Sequence, residues 1–241
     1  MSSMVTILIG PDKKPFPLHN ELLVWLSDYF RLACTGNWAE SFNKIYTFDD
    51  VNVQVFELFV RWLYTKRIES INYKDSDQFL ILAWALGDRL QCRSFKNAVL
   101  NTLHHDWEDY SEYWPNSLDT AALAYQVSPP GSKLRDLLLM KWSLHANEDM
   151  TTAKSNLISI PQEFLSDLNL ATTRIFMDLR SRNLNVSRIT TTLEGNICKQ
   201  FHKHTEAEPE CTKEIIGASF PIHNIDDTPD HCDVFPFKDR V

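Results

Sequence analysis

A chain of 241 residues is long enough for one good core and a second, smaller one, and its 44% hydrophobic and 23% charged content excludes wholesale disorder. A formal charge of −8 with no dense run of Lys and Arg excludes a broad nucleic-acid footprint, because phosphate binding needs clustered cations. Met1–Gly10 lacks the basic start of a signal peptide, and the longest apolar block, Phe79–Leu86, is too short to span a bilayer. No membrane is therefore expected, and the chain reads as intracellular, in cytoplasm or nucleus. Its five cysteines then read as reduced thiols or metal ligands, and the single Asn185-Val186-Ser187 sequon as chance.

Val5, Ile7 and Ile9 alternate as in a buried strand, and Gly10-Pro11-Asp12 supplies a turn. Pro15-Phe16-Pro17-Leu18 completes a hairpin whose two prolines put it on a sheet edge. From Asn20, Leu22, Leu23, Leu26, Phe30 and Ala33 recur at helical spacing, which predicts one helix with a single buried stripe and Gly36 at its C-cap. Lys44-Ile45-Tyr46-Thr47-Phe48 has strand composition and Asp49-Asp50 ends it. Phe56, Phe59, Val60 and Leu63 then mark a buried helix face, with Asn52 or Asp50 as cap.

Beyond Ile68 the pattern stays helical. Ser76 or Asp77 can cap a helix carrying Phe79, Leu82, Ala83, Leu86 and Leu90 on one face; Phe95, Val99, Leu103 and Trp107 define the next. After Trp114-Pro115-Asn116-Ser117 come helices marked by Leu118, Ala121, Ala122 and Tyr125 and, past Ser128-Pro129-Pro130-Gly131, by Leu134, Leu138 and Trp142. Pro161 reads as the first residue of a helix with Phe164, Leu165 and Leu168 on one side, and Ile175 and Leu179 extend a further segment. After about Asn183 no period is sustained, so the tail is expected to be largely irregular.

The early elements together resemble a BTB/POZ domain of the type that fungi encode in large numbers. The likeness is carried by Val5-Thr6-Ile7-Leu8-Ile9, Phe16-Pro17-Leu18-His19, Leu22-Leu23, Ser27, Tyr29-Phe30 and Phe56 through Leu63-Tyr64-Thr65, and it covers residues 4–107. Residues 108–183 are similar to the α-helical extension of such proteins, notably at Ile160-Pro161-Gln162-Glu163-Phe164-Leu165, and 184–241 form a Cys/His-containing tail. The resemblance implies an α+β fold, a small sheet flanked by helices, working as a protein-interaction module that commonly self-associates. In members that bind cullin scaffolds of ubiquitin ligases, a hydrophobic residue, any residue and Glu follow the first long helix; Trp38-Ala39-Glu40 stands in that place. Trp38 and Glu40 are thus the partner-binding candidates, against the alternative that Trp38 covers its own core. An oligomerising scaffold in transcription or signalling, without cullin contact, is the alternative function.

This chain departs from the pattern at two points. Met4 stands where relatives carry Asp, and Lys66 where the helix-ending Tyr-Thr pair is commonly followed by Gly. With only Met1–Ser3 before the first strand, dimerisation by exchange of an N-terminal strand and helix, as in many dimeric BTB domains, is not expected.

Catalytic signals are sparse. Six glycines form no phosphate loop, and no His-Glu-x-x-His or Gly-x-Ser-x-Gly sequence occurs, so no enzyme is expected. His19 lacks an accompanying nucleophile and reads as structural. Adjacent residues of His104-His105-Asp106 point about 100° apart on a helix, which suits a solvated helix end better than chelation. The tail differs: Cys198, His202, His204 and Cys211 spell Cys-x3-His-x-His-x6-Cys. If Cys198–His202 is helical, the two share a face, and His204 with Cys211 would complete a Cys2His2 shell around a structural zinc ion. Chance clustering in a polar tail is the competing reading. A zinc hydrolase using the tail histidines, with Glu206 or Glu208 beside an open metal site, is a distant third function.

Overall fold

Alternation of Val5, Ile7 and Ile9 produces β1 (Met4–Ile9), on which all three are buried. Gly10 turns the chain at φ +74°, where an added Cβ would press within 3.2 Å of Val53 Cγ2. The chain returns as β2 (Lys14–His19), antiparallel to β1 with Val5 opposite Leu18. A third strand, β3 (Ile45–Phe48), pairs parallel with β1 on its other side, giving the order β2-β1-β3. The two prolines thus lie on an edge strand, where their missing N–H groups leave no central ladder bond unmade.

The computed structural model describes residues 4–35, 44–68, 76–109, 118–145, 160–182 and 197–204. They fall into two compact units. The first takes the described residues of Met1–Ile68 together with Leu86–Lys96, and the second takes those of Glu69–Ala85 and Asn97–Lys213.

In the first unit the run after β2 is two helices, α1 (Asn20–Leu26) and α2 (Asp28–Thr35), instead of the single one its periodicity predicts. Ser27 adopts an extended backbone between them, donates its hydroxyl to the Leu90 carbonyl at 2.5 Å and accepts the Phe30 N–H at 3.2 Å. The side chain starts the second helix, as an N-cap does. Leu23 and Phe30 are buried, whereas Trp25 and Leu32 are about half exposed.

Helix α3 (Val53–Thr65) fills the centre of this unit. Asn52 caps it by accepting the Gln54 and Val55 N–H groups, and Asp50 binds Arg89 instead. Phe56, Phe59 and Leu63 are buried as their spacing predicts, and so is Trp62, whereas Val60 is only part-buried. Phe59 and Trp62 meet Phe95 at ring separations of 5.1 and 5.0 Å. Edge strand β2 is covered by α3 as well, through Phe16 against Phe56 and an ion pair between Lys14 and Glu57.

Helices α4 (Ser76–Arg89) and α5 (Arg93–Asp109) follow. On α5, Phe95, Val99, Leu103 and Trp107 are fully buried, as expected; α4 buries Leu80, Ile81, Ala83, Trp84 and Leu86, while Phe79 and Leu82, which the spacing places on its core face, are only part-buried. His104 is buried while His105 is exposed, so only part of that trio is the solvated helix end its polarity predicts.

In the second unit α6 (Leu118–Val127) and α7 (Lys133–His145) are joined by a turn with Gly131 at φ +69°. Arg135, almost fully buried, holds that turn: its Nη2 donates to the carbonyls of Tyr125 and Ser128, its guanidinium lies over the Tyr125 ring, and Nη1 pairs with Glu163. Glu163 belongs to α8 (Gln162–Arg182), one continuous helix where the sequence suggested two segments. Pro161 stands immediately before it and its carbonyl accepts the Leu165 N–H. Phe164 is buried against Tyr125 and Trp142, but Leu165 is exposed. No described helix is long and apolar enough to cross a membrane.

Candidate functional site

A five-residue helix, α9 (Ile197–Phe201), carries the tail motif and packs against α7. The N–H of His202 donates to the Cys198 carbonyl at 3.2 Å, the i, i+4 bond that puts both side chains on one face. The chain leaves helical geometry after Phe201, so His204 turns back toward the same point. The Cys198 Sγ and His204 Nε2 are 3.3 Å apart, and one donor atom from each of Cys198, His202 and His204 lies within 4.8 Å of the others. Among the described residues no other three His, Cys or carboxylate side chains converge in this way.

Burial anchors the group. Phe201 and His202 are buried, and Cys198 is part-buried. Burial pushes the His202 imidazole down to about 4, and its neighbour His204 adds to this by repelling a second positive charge. At neutral pH, His202 is therefore an uncharged ring.

Asn97, from α5, reaches the same loop although it is 106 residues away in sequence. Its Nδ2 donates to the Lys203 carbonyl at 3.0 Å, and its Oδ1 accepts the Lys203 N–H at 3.3 Å. A buried side-chain amide thus clamps both polar groups of the residue between the two histidines. Nothing in the local sequence announces this role, since Asn97 lies inside an ordinary amphipathic helix.

The other candidates are placed as follows. Cys211 lies outside the described residues, as do Trp38 and Glu40, whose segment runs between Thr35 at the end of α2 and Lys44 before β3. His19 Nδ1 is 2.9 Å from the Tyr64 hydroxyl with the two rings edge to face, which ties the start of α1 to the end of α3.

The sheet with its flanking helices is the part of the chain that can be compared with a known family. A family model of the BTB/POZ domain matches residues 2–106. Those residues are a BTB/POZ domain. Comparison with curated proteins gave no match. The BTB/POZ domain is a protein-interaction module, and it includes Trp38, Glu40 and Asn97 in its span, whereas Cys198, His202 and His204 lie beyond it.

Proposed function

We propose that this chain is a non-enzymatic adaptor of the fungal BTB type whose BTB/POZ domain docks a cullin scaffold of a ubiquitin ligase through Trp38 and Glu40. The observation that carries the reading is the Trp38-Ala39-Glu40 sequence directly after α2 in a matched BTB/POZ domain. A Trp seated in an apolar pocket of a partner contributes about 2 kcal/mol or more, and a Glu two residues on orients the contact through charge. The helical region after the domain is then free to serve the substrate side.

Capture of cullin by the full-length protein tests this. The normal protein is expected to retain cullin, while folded Trp38→Ala and Glu40→Lys variants lose at least tenfold. Absence of cullin from the normal sample, or equal retention by both variants, rejects the contact.

A second reading, an oligomerising scaffold without cullin contact, draws on the large apolar side chains that the domain leaves outside: Met4, Trp25, Leu32 and Ile45 are each between 45% and 54% exposed. Sedimentation showing a stable dimer that captures no cullin favours it.

A further inference from the structure

We propose that Cys198, His202 and His204 bind one zinc ion, and that Asn97 is a positioning residue that sets the two imidazoles for the metal. The donor types select the ion. One thiolate and two imidazoles suit zinc, whereas magnesium and calcium take oxygen ligands.

Spacing agrees with the donor types. Ligands about 2.0–2.3 Å from a tetrahedral zinc lie about 3.5 Å from one another. The Cys198–His204 pair, at 3.3 Å, is already at that separation, and the remaining donors lie within 4.8 Å, a closure that side-chain rotation supplies.

Binding fastens the segment from Cys198 to His204 to the helix that carries Asn97. Asn97 acts through the Lys203 backbone, not on the metal, as outer groups that orient metal ligands do.

Full-length protein purified without chelator is expected to hold about one equivalent of zinc. Less than about one-tenth of an equivalent, with no uptake when zinc is added, overturns the site. Cobalt(II) in place of zinc should give the strong visible bands of a tetrahedral ion with thiolate charge transfer; weak octahedral bands overturn it without need of any variant. Cys198→Ser and His204→Ala should lose the metal, while His105→Ala on α5 keeps it. Full retention in both ligand variants places the metal elsewhere. In chelator competition, Asn97→Ala should bind zinc about 10–100-fold more weakly while keeping the tetrahedral cobalt spectrum. Asn97→Asp, which retains the acceptor for the Lys203 N–H, should fall between the two. Equal affinity in all three proteins overturns the role of Asn97.

Discussion

Lys66 shows at the scale of one residue what a left-handed helix end asks of a side chain. It is the C-cap of α3 at φ +57°, with its N–H donating to the Trp62 carbonyl, a left-handed position that a glycine takes without strain. Its side chain compensates: Nζ donates to the Leu63 carbonyl and lies 4.7 Å from the Trp62 ring centre and 5.8 Å from that of Trp25. Burial of that ammonium lowers its pKa to about 8, with the Cys92 thiol opposing the shift. Lys66→Ala keeps the strained backbone and removes the contacts, whereas Lys66→Gly removes both. The glycine variant is therefore expected to be more stable than the alanine variant by about 1 kcal/mol, the reverse of their order inside a helix, as read by denaturant unfolding.

Asp77 gives the corresponding pH prediction. In the first turn of α4 its carboxylate is pushed up to about 6, chiefly by burial, with Asp106 reinforcing and the Trp107 indole opposing. The folded state then holds a proton that the unfolded state has released between about pH 4 and 6, so this group lowers stability as pH rises through that window. Asp77→Asn should match the parent protein below about pH 4 and exceed it at pH 7 by on the order of 2 kcal/mol. Unfolding midpoints across that range check the sign; a constant difference at all pH values contradicts it.

At the scale of elements, two polar side chains set how helices meet. Ser27 divides what the apolar spacing predicts as one helix, because its hydroxyl serves both the Leu90 carbonyl and the Phe30 N–H. Ser27→Ala leaves both groups without that partner at a position only 1% exposed, and should destabilise by about 1–3 kcal/mol in thermal or chemical unfolding. Arg135 does the same for α6, α7 and α8 through the Tyr125 and Ser128 carbonyls and Glu163. A lysine offers one point charge in place of a planar fork, so Arg135→Lys should cost about 2 kcal/mol or more despite keeping the charge. Trp142, whose ring meets Phe164 of α8 at 5.6 Å, is the nearby fluorophore that would report the loosened turn.

At the scale of the whole molecule, the interaction module and the compact units do not share boundaries. The BTB/POZ match ends at residue 106, yet the second unit begins at Glu69, gives way to Leu86–Lys96, and resumes at Asn97. A fragment of residues 1–107 therefore separates the last part of α5 from α6, α7, α8 and α9, and takes Asn97 from Lys203. Such a fragment should bind a hydrophobic dye more strongly and unfold at lower temperature than the full chain. Equal dye binding and an equal midpoint would show that residues up to 107 stand alone.

Local pattern was enough for the sheet edge, the buried face of α5 and the Cys-x3-His-x-His spacing, because each depends on periods of two or about four residues or on the conformational limits of proline, whereas it left the α3 cap open between Asn52 and Asp50. Trp62 was within reach of the same reasoning, three residues after Phe59. Other features depend on partners far along the chain: Ser27 with Leu90, 63 residues away, Arg135 with Glu163, and Asn97 with Lys203, 106 residues away. The sequence by itself determined where Cys198, His202 and His204 cluster along the chain and which face of α5 seeks a core. Only the tertiary structure decided where a helix breaks and which distant amide binds the backbone of the residue between two histidines, because an isolated polar side chain carries no record of the backbone group that will satisfy it.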